Sequence, residues 1–306
     1  MKARLTIVSA VLVCLVTLAQ AQDKKKDPSQ IGSRDVGKGI NFYSLEKEIA
    51  LGKQLAAEVE RQAKLVDDPL IAEYVNRLGQ NLVRNSDAKV PFRFKVIEAE
   101  APNAFALPGG YVFVNTGLIE LAEEESEIAG AMAHEIAHVA ARHMTRQATK
   151  SELANLGTLP LSIFLGGWGG LIARQAAAVA VPMTFLSFSR KDETEADYLC
   201  VQYMYAAGYD PAGIITIFEK LDALNRRKPG TVGRLFSTHP MDTDRIQKTQ
   251  KEINEILPAK DVYIVNTSEY HDMRDRVFGM LAHRKPEPDR RPHLIKPLDQ
   301  EHPQGD

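Results

Sequence analysis

The sequence predicts an α+β domain that is mainly helical and carries one small β-sheet. Two observations predict this class. Apolar residues recur at helical spacing over most of the chain, and the period changes to two only around residues 92–97 and in the short segments that follow. The chain has 306 residues, of which 44% are hydrophobic and 25% charged, so it is long enough to bury one large core.

The N-terminus has the pattern of a cleaved secretory signal. Two basic residues precede an apolar run over residues 5–18, and small residues in an A-x-A arrangement follow up to Ala21. The run is short for a membrane span, and the bulky Val13 argues against a lipoprotein site at Cys14. We therefore expect export with cleavage after Ala21, which removes residues 1–21.

Composition divides the rest of the chain into three parts. Residues 22–40 are polar and rich in Lys, Asp and Gly, which predicts a flexible leader. Residues 41–284 carry the periodic apolar patterns and form the predicted domain. Residues 285–306 are rich in Pro, Arg and Asp and are predicted to be disordered. The net charge of -2, without a basic stripe interleaved with aromatic residues, argues against nucleic acid as a partner.

Two helices and then three strands open the predicted domain. Apolar residues at helical spacing cover residues 44–62, and a second apolar helical face follows Pro69. Residues 92–97 alternate between apolar and polar side chains, which is typical of a half-buried strand. The segments Ala104–Leu107 and Tyr111–Asn115 flank a Pro-Gly-Gly turn and are predicted to pair as a hairpin.

Helices dominate the chain from Gly117 onward. The helix over residues 128–139 is apolar nearly all round and should therefore be buried. Another helix is predicted to begin just after Ser189. A last short strand is predicted over residues 262–265, followed by a helix over residues 269–281.

The buried helix contains the sequence His-Glu-Ile-Ala-His at residues 134–138. Residues four apart share one helix face, so His134 and His138 can reach one metal ion. Glu135 projects about 100° away, where it can hold a water molecule on a zinc ion and accept its proton as the water attacks a carbonyl group. A pair of structural histidines is the alternative, but the buried polar groups favour a bound metal. His143 lies opposite His134 on a continued helix and is not expected to be a ligand.

A catalytic zinc site needs a third protein ligand and an open position. The helix after Ser189 offers three acids. At 100° per residue, Glu193 and Asp197 share the face that carries the apolar residues, whereas Glu195 points away and is interpreted as solvent-facing. Helical geometry therefore selects Glu193 as the third ligand, with Asp197 as a carboxylate that supports a zinc-bound histidine.

Four segments occur together in an order that is typical of one family. They are residues 103–110, 134–138, 193–197 and 237–240, with Arg245 six residues after His239. In this set the chain resembles the HtpX-like and CAAX-protease-like family of zinc metallopeptidases, which are gluzincins. It resembles in particular the exported branch concerned with quality control of outer-membrane proteins. The resemblance implies a zincin-type fold, one zinc ion per chain and a periplasmic location.

The resemblance also implies roles for individual residues. It implies that three residues bind the zinc ion, namely His134, His138 and Glu193. Glu135 would be the base and Asp197 an active-site carboxylate. His239 and Arg245 would lie near the metal, where His239 either stabilises the developing oxyanion or caps the zinc in a resting state. The chain lacks the long apolar spans of the family's membrane branch, so membrane-embedded substrates are not expected.

The strand Ala104–Leu107 is a candidate for substrate binding. An extended peptide could pair with this strand through main-chain hydrogen bonds and present its carbonyl group to the metal. An ordinary hairpin edge is the alternative. The resemblance favours substrate binding along this strand. The expected contacts are four residues, namely Asn103, Ala104, Phe105 and Ala106.

Residues 159–172 are apolar but interrupted by Pro and Gly around Trp168. This insert is too short and too rich in Gly to span a membrane. The insert lies between His138 and Glu193 in the sequence. This position predicts that the insert forms a lid over the site or packs in the interior of the domain. A contact with the membrane surface is the alternative.

Three functions are compatible with these residues. The first is a zinc endopeptidase that acts on unfolded or misassembled exported proteins, with polypeptide as its partner. The second is a chaperone or binding module with a structural zinc ion, against which the intact Glu135 argues. The third is a metal-dependent hydrolase of a non-peptide substrate, which the family segments disfavour.

Overall fold

The structure, a computed structural model, describes residues 27–156, 188–227, 239 and 243–283. The predicted signal sequence, the insert over residues 159–172 and the tail over residues 285–306 lie outside the described residues. None of the helices in the described ranges combines the length and the apolar character that crossing a bilayer requires.

The described chain folds into α-helices around one small sheet, which confirms the predicted α+β class. The helices are, in chain order, α1 Leu45–Gln62, α2 Pro69–Arg84, α3 Thr116–Leu121, α4 Glu125–Ala140, α5 His143–Leu156, α6 Arg190–Ala207, α7 Ala212–Arg227, α8 Thr243–Ile256 and α9 Ser268–Ala282. The strands are β1 Arg93–Ile97, β2 Ala104–Leu107 and β3 Tyr111–Asn115.

The three strands form one mixed sheet in the order β1-β3-β2. Strand β2 pairs antiparallel with β3, which confirms the predicted hairpin, and the turn uses Gly109 and Gly110 at φ values of 73° and 90°. Strand β1 runs parallel to β3, with Arg93 opposite Tyr111. Strand β2 is therefore an outer strand, and it contacts helix α4.

Helix α4 lies at the centre of the domain. It packs against α6, α7, α2 and strand β2. Most of its apolar residues are buried, as predicted for a helix without a polar face, and Ile136 and Ala137 have no exposed surface. Helices α6 and α7 also bury apolar faces against it. Polar side chains on α4 are thus held in a rigid, water-poor position.

Part of the predicted leader packs against the domain. The Arg34 guanidinium donates to Asp87 at 2.6 Å and to Gln202 of α6 at 2.6 Å, and Arg34 is buried. Val36 is buried as well. The polar composition of residues 22–40 pointed to a flexible segment, and this packing corrects that expectation for the residues around Arg34. The reason is that a charged residue is buried when a distant carboxylate pairs with it.

The prediction of a strand over residues 262–265 is wrong. Only an isolated bridge between Tyr209 and Ile264 is present there, and Val262 is 80% exposed. The backbone of Ile264 bonds to the turn after α6, where it accepts from Asp210 and donates to Gly208. Because no strand of the described ranges lies alongside, this apolar segment has no ladder to join. The helix predicted after it is confirmed as α9.

Glu252 of α8 gives a pH-dependent prediction. Burial raises the pKa of this half-buried carboxyl from 4.5 to about 7, and Asp197 and Glu255 add to the rise. A carboxyl with a raised folded-state pKa stabilises the fold below pH 4.5, and this stability is lost as the pH rises through about 7. Glu252→Gln should therefore raise the melting temperature relative to the wild type more at pH 8 than at pH 5. The shift should be small, because solvent screens a partly exposed group.

Thermal melts of both proteins at the two pH values measure this difference. The exposed Glu219→Gln, on α7, is the control and should show less of this pH-dependent difference. An equal shift at both pH values would contradict the prediction.

Candidate active site

The two histidines of α4 face one glutamate of α6. The Nε2 atoms of His134 and His138 are 3.0 Å apart. His134 Nε2 lies 3.3 Å from Glu193 Oε2, and His138 Nε2 lies 3.4 Å from Glu193 Oε1. All three side chains are buried. The fold thus brings together the three residues that the sequence predicts as metal ligands.

Glu193 is held in place by the start of α6. Ser189 caps this helix, and a capping box joins its side chain and backbone to those of Asp192. Glu193 therefore lies in the first turn and Asp197 one turn later, both toward α4. Asp197 Oδ1 lies 3.0 Å from Nδ1 of His134, on the side of the ring away from Glu193. A carboxylate in this position orients the imidazole.

His239 and Arg245 complete the cluster. His239 Nδ1 lies 2.9 Å from Glu193 Oε1 and 3.4 Å from His134 Nε2. Arg245 donates to Asp197 through Nε at 2.6 Å, and its Nη1 lies 2.8 Å from Glu193 Oε2. The guanidinium therefore offsets the charge of two buried carboxylates.

The donor atoms of this cluster fit a tetrahedral ion. Around an ion with bonds of about 2.1 Å, ligand atoms lie about 3.4 Å apart. Five of the separations between the cluster's nitrogen and oxygen atoms lie between 2.9 and 3.4 Å. Imidazole nitrogen and carboxylate oxygen are also ligands that zinc prefers. Four residues offer one atom each within 4.8 Å of one another, namely His134, His138, Glu193 and His239.

Glu135 lies beside this cluster and contacts the outer strand. The backbone N–H of Ala106 donates to Glu135 Oε2 at 2.9 Å, and the other oxygen lies 3.4 Å from His239 Nε2. Strand β2 thus fixes this carboxylate next to the cluster of histidines and Glu193. This is the placement expected for a general base.

The register of the hairpin decides which backbone groups face the site. Asn115 N–H donates to Asn103 O, so Asn103 and Phe105 direct their backbone groups toward β3. Ala104 and Ala106 alternate with them and direct theirs toward the open edge, as the bond from Ala106 to Glu135 requires. Of the four predicted substrate contacts, the structure therefore turns two toward the site.

Burial and charge set the pKa values of the acids. Burial raises the pKa of Glu135, and the neighbouring histidines only partly offset this effect. The pKa of Glu193 lies well below its ordinary value, because nearby histidines and Arg245 outweigh the burial. Arg245 likewise outweighs burial and lowers the pKa of Asp197. Glu135 is therefore the more basic carboxylate, which suits a proton acceptor.

The two α4 histidines differ in their pKa values. Burial acts to lower the pKa of His134, but Asp197 and Glu193 outweigh it and raise the pKa to about 9. Burial lowers the pKa of His138 well below its ordinary value. A metal ion must displace the proton from a histidine nitrogen before it binds there, so metal affinity should depend on pH.

Small apolar recesses flank the cluster. Below Glu135 lies a recess of about 30 Å³, and beside His138 lies one of about 20 Å³. Phe188 borders the second recess and stacks on the His138 ring, with centroids 3.9 Å apart. Such volumes have room for one or two water molecules. The first recess has mostly apolar walls, formed by Ala104, Leu118, Ala131, Ile217, Phe218 and Leu221.

Sequence reasoning misplaces His143 and Glu195. It treats His143 as part of a continued helix and Glu195 as solvent-facing. Instead, α4 ends at Ala140, Arg142 adopts a positive φ of 58°, and α5 begins at His143. His143 Nε2 then lies 3.3 Å from Glu195 Oε2. The usual signal for such a break is Gly or Asn, and an arginine gives none.

A zincin-type metallopeptidase uses one carboxylate to bind the ion and another, off the ion, to take a proton. Glu193 lies against the two α4 histidines and Glu135 against strand β2, so the described site has a candidate for each role. The model of Peptidase family M48 matches residues 69–253. The chain therefore belongs to peptidase family M48.

Individual relatives agree with this family. The chain is 28% identical over 288 residues to the Beta-barrel assembly-enhancing protease of Yersinia pestis. This match covers 90% of this chain and 58% of that protein. It is 33% identical over 204 residues to the mitochondrial metalloendopeptidase OMA1 of Schizosaccharomyces pombe, covering 65% of this chain and 57% of that protein. It is 29% identical over 203 residues to the metalloprotease LoiP of Escherichia coli, and this match covers 64% of this chain and 77% of that protein. The chain thus spans little more than half the length of the first two.

Proposed function

We propose that this chain is a zinc endopeptidase that hydrolyses peptide bonds of exported envelope proteins that are unfolded or misassembled. The convergence of His134, His138 and Glu193 beside the carboxylate of Glu135 carries the proposal. The metal-dependent hydrolysis of a non-peptide substrate is disfavoured by the open strand edge next to the base, which suits an extended polypeptide.

Zinc, when bound, supplies a Lewis acid that polarises the peptide carbonyl and makes water more acidic. The chain's own residues provide the rest. The backbone groups of Ala104 and the carbonyl group of Ala106 pair with the substrate backbone and align its carbonyl group, while the Ala106 N–H holds Glu135. Glu135 accepts the proton of the attacking water and passes it to the leaving nitrogen. Arg245 keeps Glu193 and Asp197 ionised and in place.

The envelope location and the substrate class rest on two observations. The first is the signal-like pattern of residues 1–21, with its basic start, short apolar run and A-x-A end. The second is the match over 90% of the chain to a relative whose name describes the enhancement of β-barrel assembly. Together they favour a substrate among exported proteins rather than among cytoplasmic ones.

The test is hydrolysis of casein, an unfolded protein, by the purified chain. Zinc-loaded protein should release peptides, a strong chelator should abolish the release, and added Zn²⁺ should restore it. Release that persists in the chelator would show a contaminating protease of another class. The absence of release from zinc-loaded protein, together with suppression of aggregation of the same substrate, would favour the chaperone.

His239 is proposed to cap the metal position in a resting state. Its Nδ1 occupies the fourth corner of the donor cluster, where a substrate carbonyl or water would otherwise bind. His239 in this position has to move before a peptide carbonyl can reach the metal position.

His239→Ala should raise casein hydrolysis several-fold, because the fourth position becomes open without a conformational change. Progress curves for wild type and variant at equal metal content measure this effect. His271→Ala, at an exposed histidine of α9, is the control and should match the wild type. A fall of about 10²-fold or more in His239→Ala would instead assign His239 to oxyanion stabilisation.

A further inference from the structure

His143 is a fully buried histidine that is not among the metal-ligand candidates. It opens α5 directly after the break in the chain at Arg142. Its Nδ1 lies 3.0 Å from Nδ1 of His138, and its Nε2 lies 3.3 Å from Glu195 Oε2. The side chain of His143 has no exposed surface. A buried imidazole with a contact at each ring nitrogen is held in one orientation.

The chemistry of metal binding fixes the protons along this chain of contacts. His138 faces the metal position through Nε2, so the neutral ring carries its proton on Nδ1. That proton is donated to Nδ1 of His143, which must then accept. His143 therefore carries its own proton on Nε2 and donates it to the Glu195 carboxylate. Each N–H in the series from His138 through His143 to Glu195 thus has an acceptor. The Nη1 atom of Arg146 lies 3.5 Å from the same oxygen of Glu195.

The two α4 histidines are then supported in parallel ways. His134 has a carboxylate directly behind it, because Asp197 lies 3.0 Å from its Nδ1. His138 has no carboxylate at that distance from its Nδ1 among the described contacts, and it reaches Glu195 through His143. The helix break at Arg142 is what makes this possible, since a continued α4 would carry His143 to the opposite face.

We propose that His143 and Glu195 form a hydrogen-bonded relay that orients His138 and raises its affinity for the metal ion. Both are positioning residues, since neither touches the ion or the substrate. The relay rests on the proposed metal site. Outer hydrogen-bond partners of metal-bound histidines commonly contribute 10- to 100-fold to metal affinity, and this is the effect expected here.

The experiment measures the Zn²⁺ dissociation constant of the metal-stripped full chain by competition with a chromophoric chelator. His143→Phe fills the space but offers no acceptor, and it should weaken Zn²⁺ binding about 10- to 100-fold. His143→Asn places an amide oxygen near the position of Nδ1 and should recover most of this loss. His271→Phe, at an exposed histidine, should bind as the wild type does.

Glu195 tests the relay without disturbing the core, because its side chain is partly exposed. Glu195→Gln should weaken Zn²⁺ binding less than His143→Phe does. Since Glu195 acts through His143, adding Glu195→Gln to His143→Phe should weaken binding no further. A merely structural role of Glu195 would instead give additive losses.

Three results would overturn the relay. They are wild-type affinity in His143→Phe, no recovery in His143→Asn, and additive losses in the double variant. A melting temperature of the metal-stripped His143→Phe protein close to that of the stripped wild type confirms that the fold survives. A wild-type chain that binds no Zn²⁺ would refute the metal site of the proposed function and the relay with it. A metal-binding wild type with an unaffected His143→Phe would refute the relay alone.

Discussion

Glu135→Gln should lower the rate of peptide hydrolysis by about 10²- to 10⁴-fold, which is the usual contribution of a general base. The amide is close in shape to the carboxylate, and its oxygen can still accept the Ala106 N–H. What the variant loses is the basic oxygen, whose pKa is raised by burial in the wild type. The loss should therefore appear in kcat, with KM for a peptide substrate little changed.

Metal content and turnover of a fluorogenic peptide measure this effect. Glu127→Gln is the matched control, because it makes the same change at another buried position of α4, where Lys220 pairs with the carboxylate. That control should retain activity. If Glu135→Gln kept full activity at full metal content, Glu135 could not be the base. If it lost metal instead, its role would be that of a ligand.

Removal of the metal should lower the melting temperature by roughly 10 °C. A ligand at about 1,000 times its dissociation constant stabilises a fold by about 4 kcal/mol. For a domain of this size, each kcal/mol shifts the melting temperature by about 2–4 °C. An ion held by the cluster would join residues of α4 and α6 with His239, so its removal would leave histidines and a carboxylate buried against one another.

Thermal melts with chelator and with excess Zn²⁺ measure this shift. Glu193→Gln replaces one ligand by a side chain of similar size and should respond much less to either treatment. A wild-type melt that is insensitive to both would contradict a tightly held metal ion. A large shift in Glu193→Gln would mean that the ion is bound elsewhere.

The predicted metal ligands show which features of the site helical periodicity can predict. His134 and His138 are four residues apart on one helix, and Glu193 and Asp197 are four apart on another. Each pair shares a helix face because of local geometry, so the sequence predicts each pair. The contact between His134 and Asp197 at 3.0 Å follows once those two faces are buried against each other.

The errors have one cause in common. Arg34 is buried because Asp87, far away in the sequence, pairs with it. The segment at residues 262–265 is not a strand, because no strand lies beside it in the part of the chain that the structure describes. His143 turns back toward His138 because α4 ends early at a residue type that gives no warning. Each outcome depends on a partner that local pattern does not reveal.

The sequence by itself determined the class of the domain, the hairpin and the residues that face the metal position from α4 and α6. Periodicity and spacing are enough for these, because they depend on residues within one or two turns of each other. Only the tertiary structure decided that β1 lies parallel to β3, that Ala104 and Ala106 face the site, and that His143 lies behind His138. These features arise from packing between segments that are distant in the chain, where the burial of one partner depends on the position of the other.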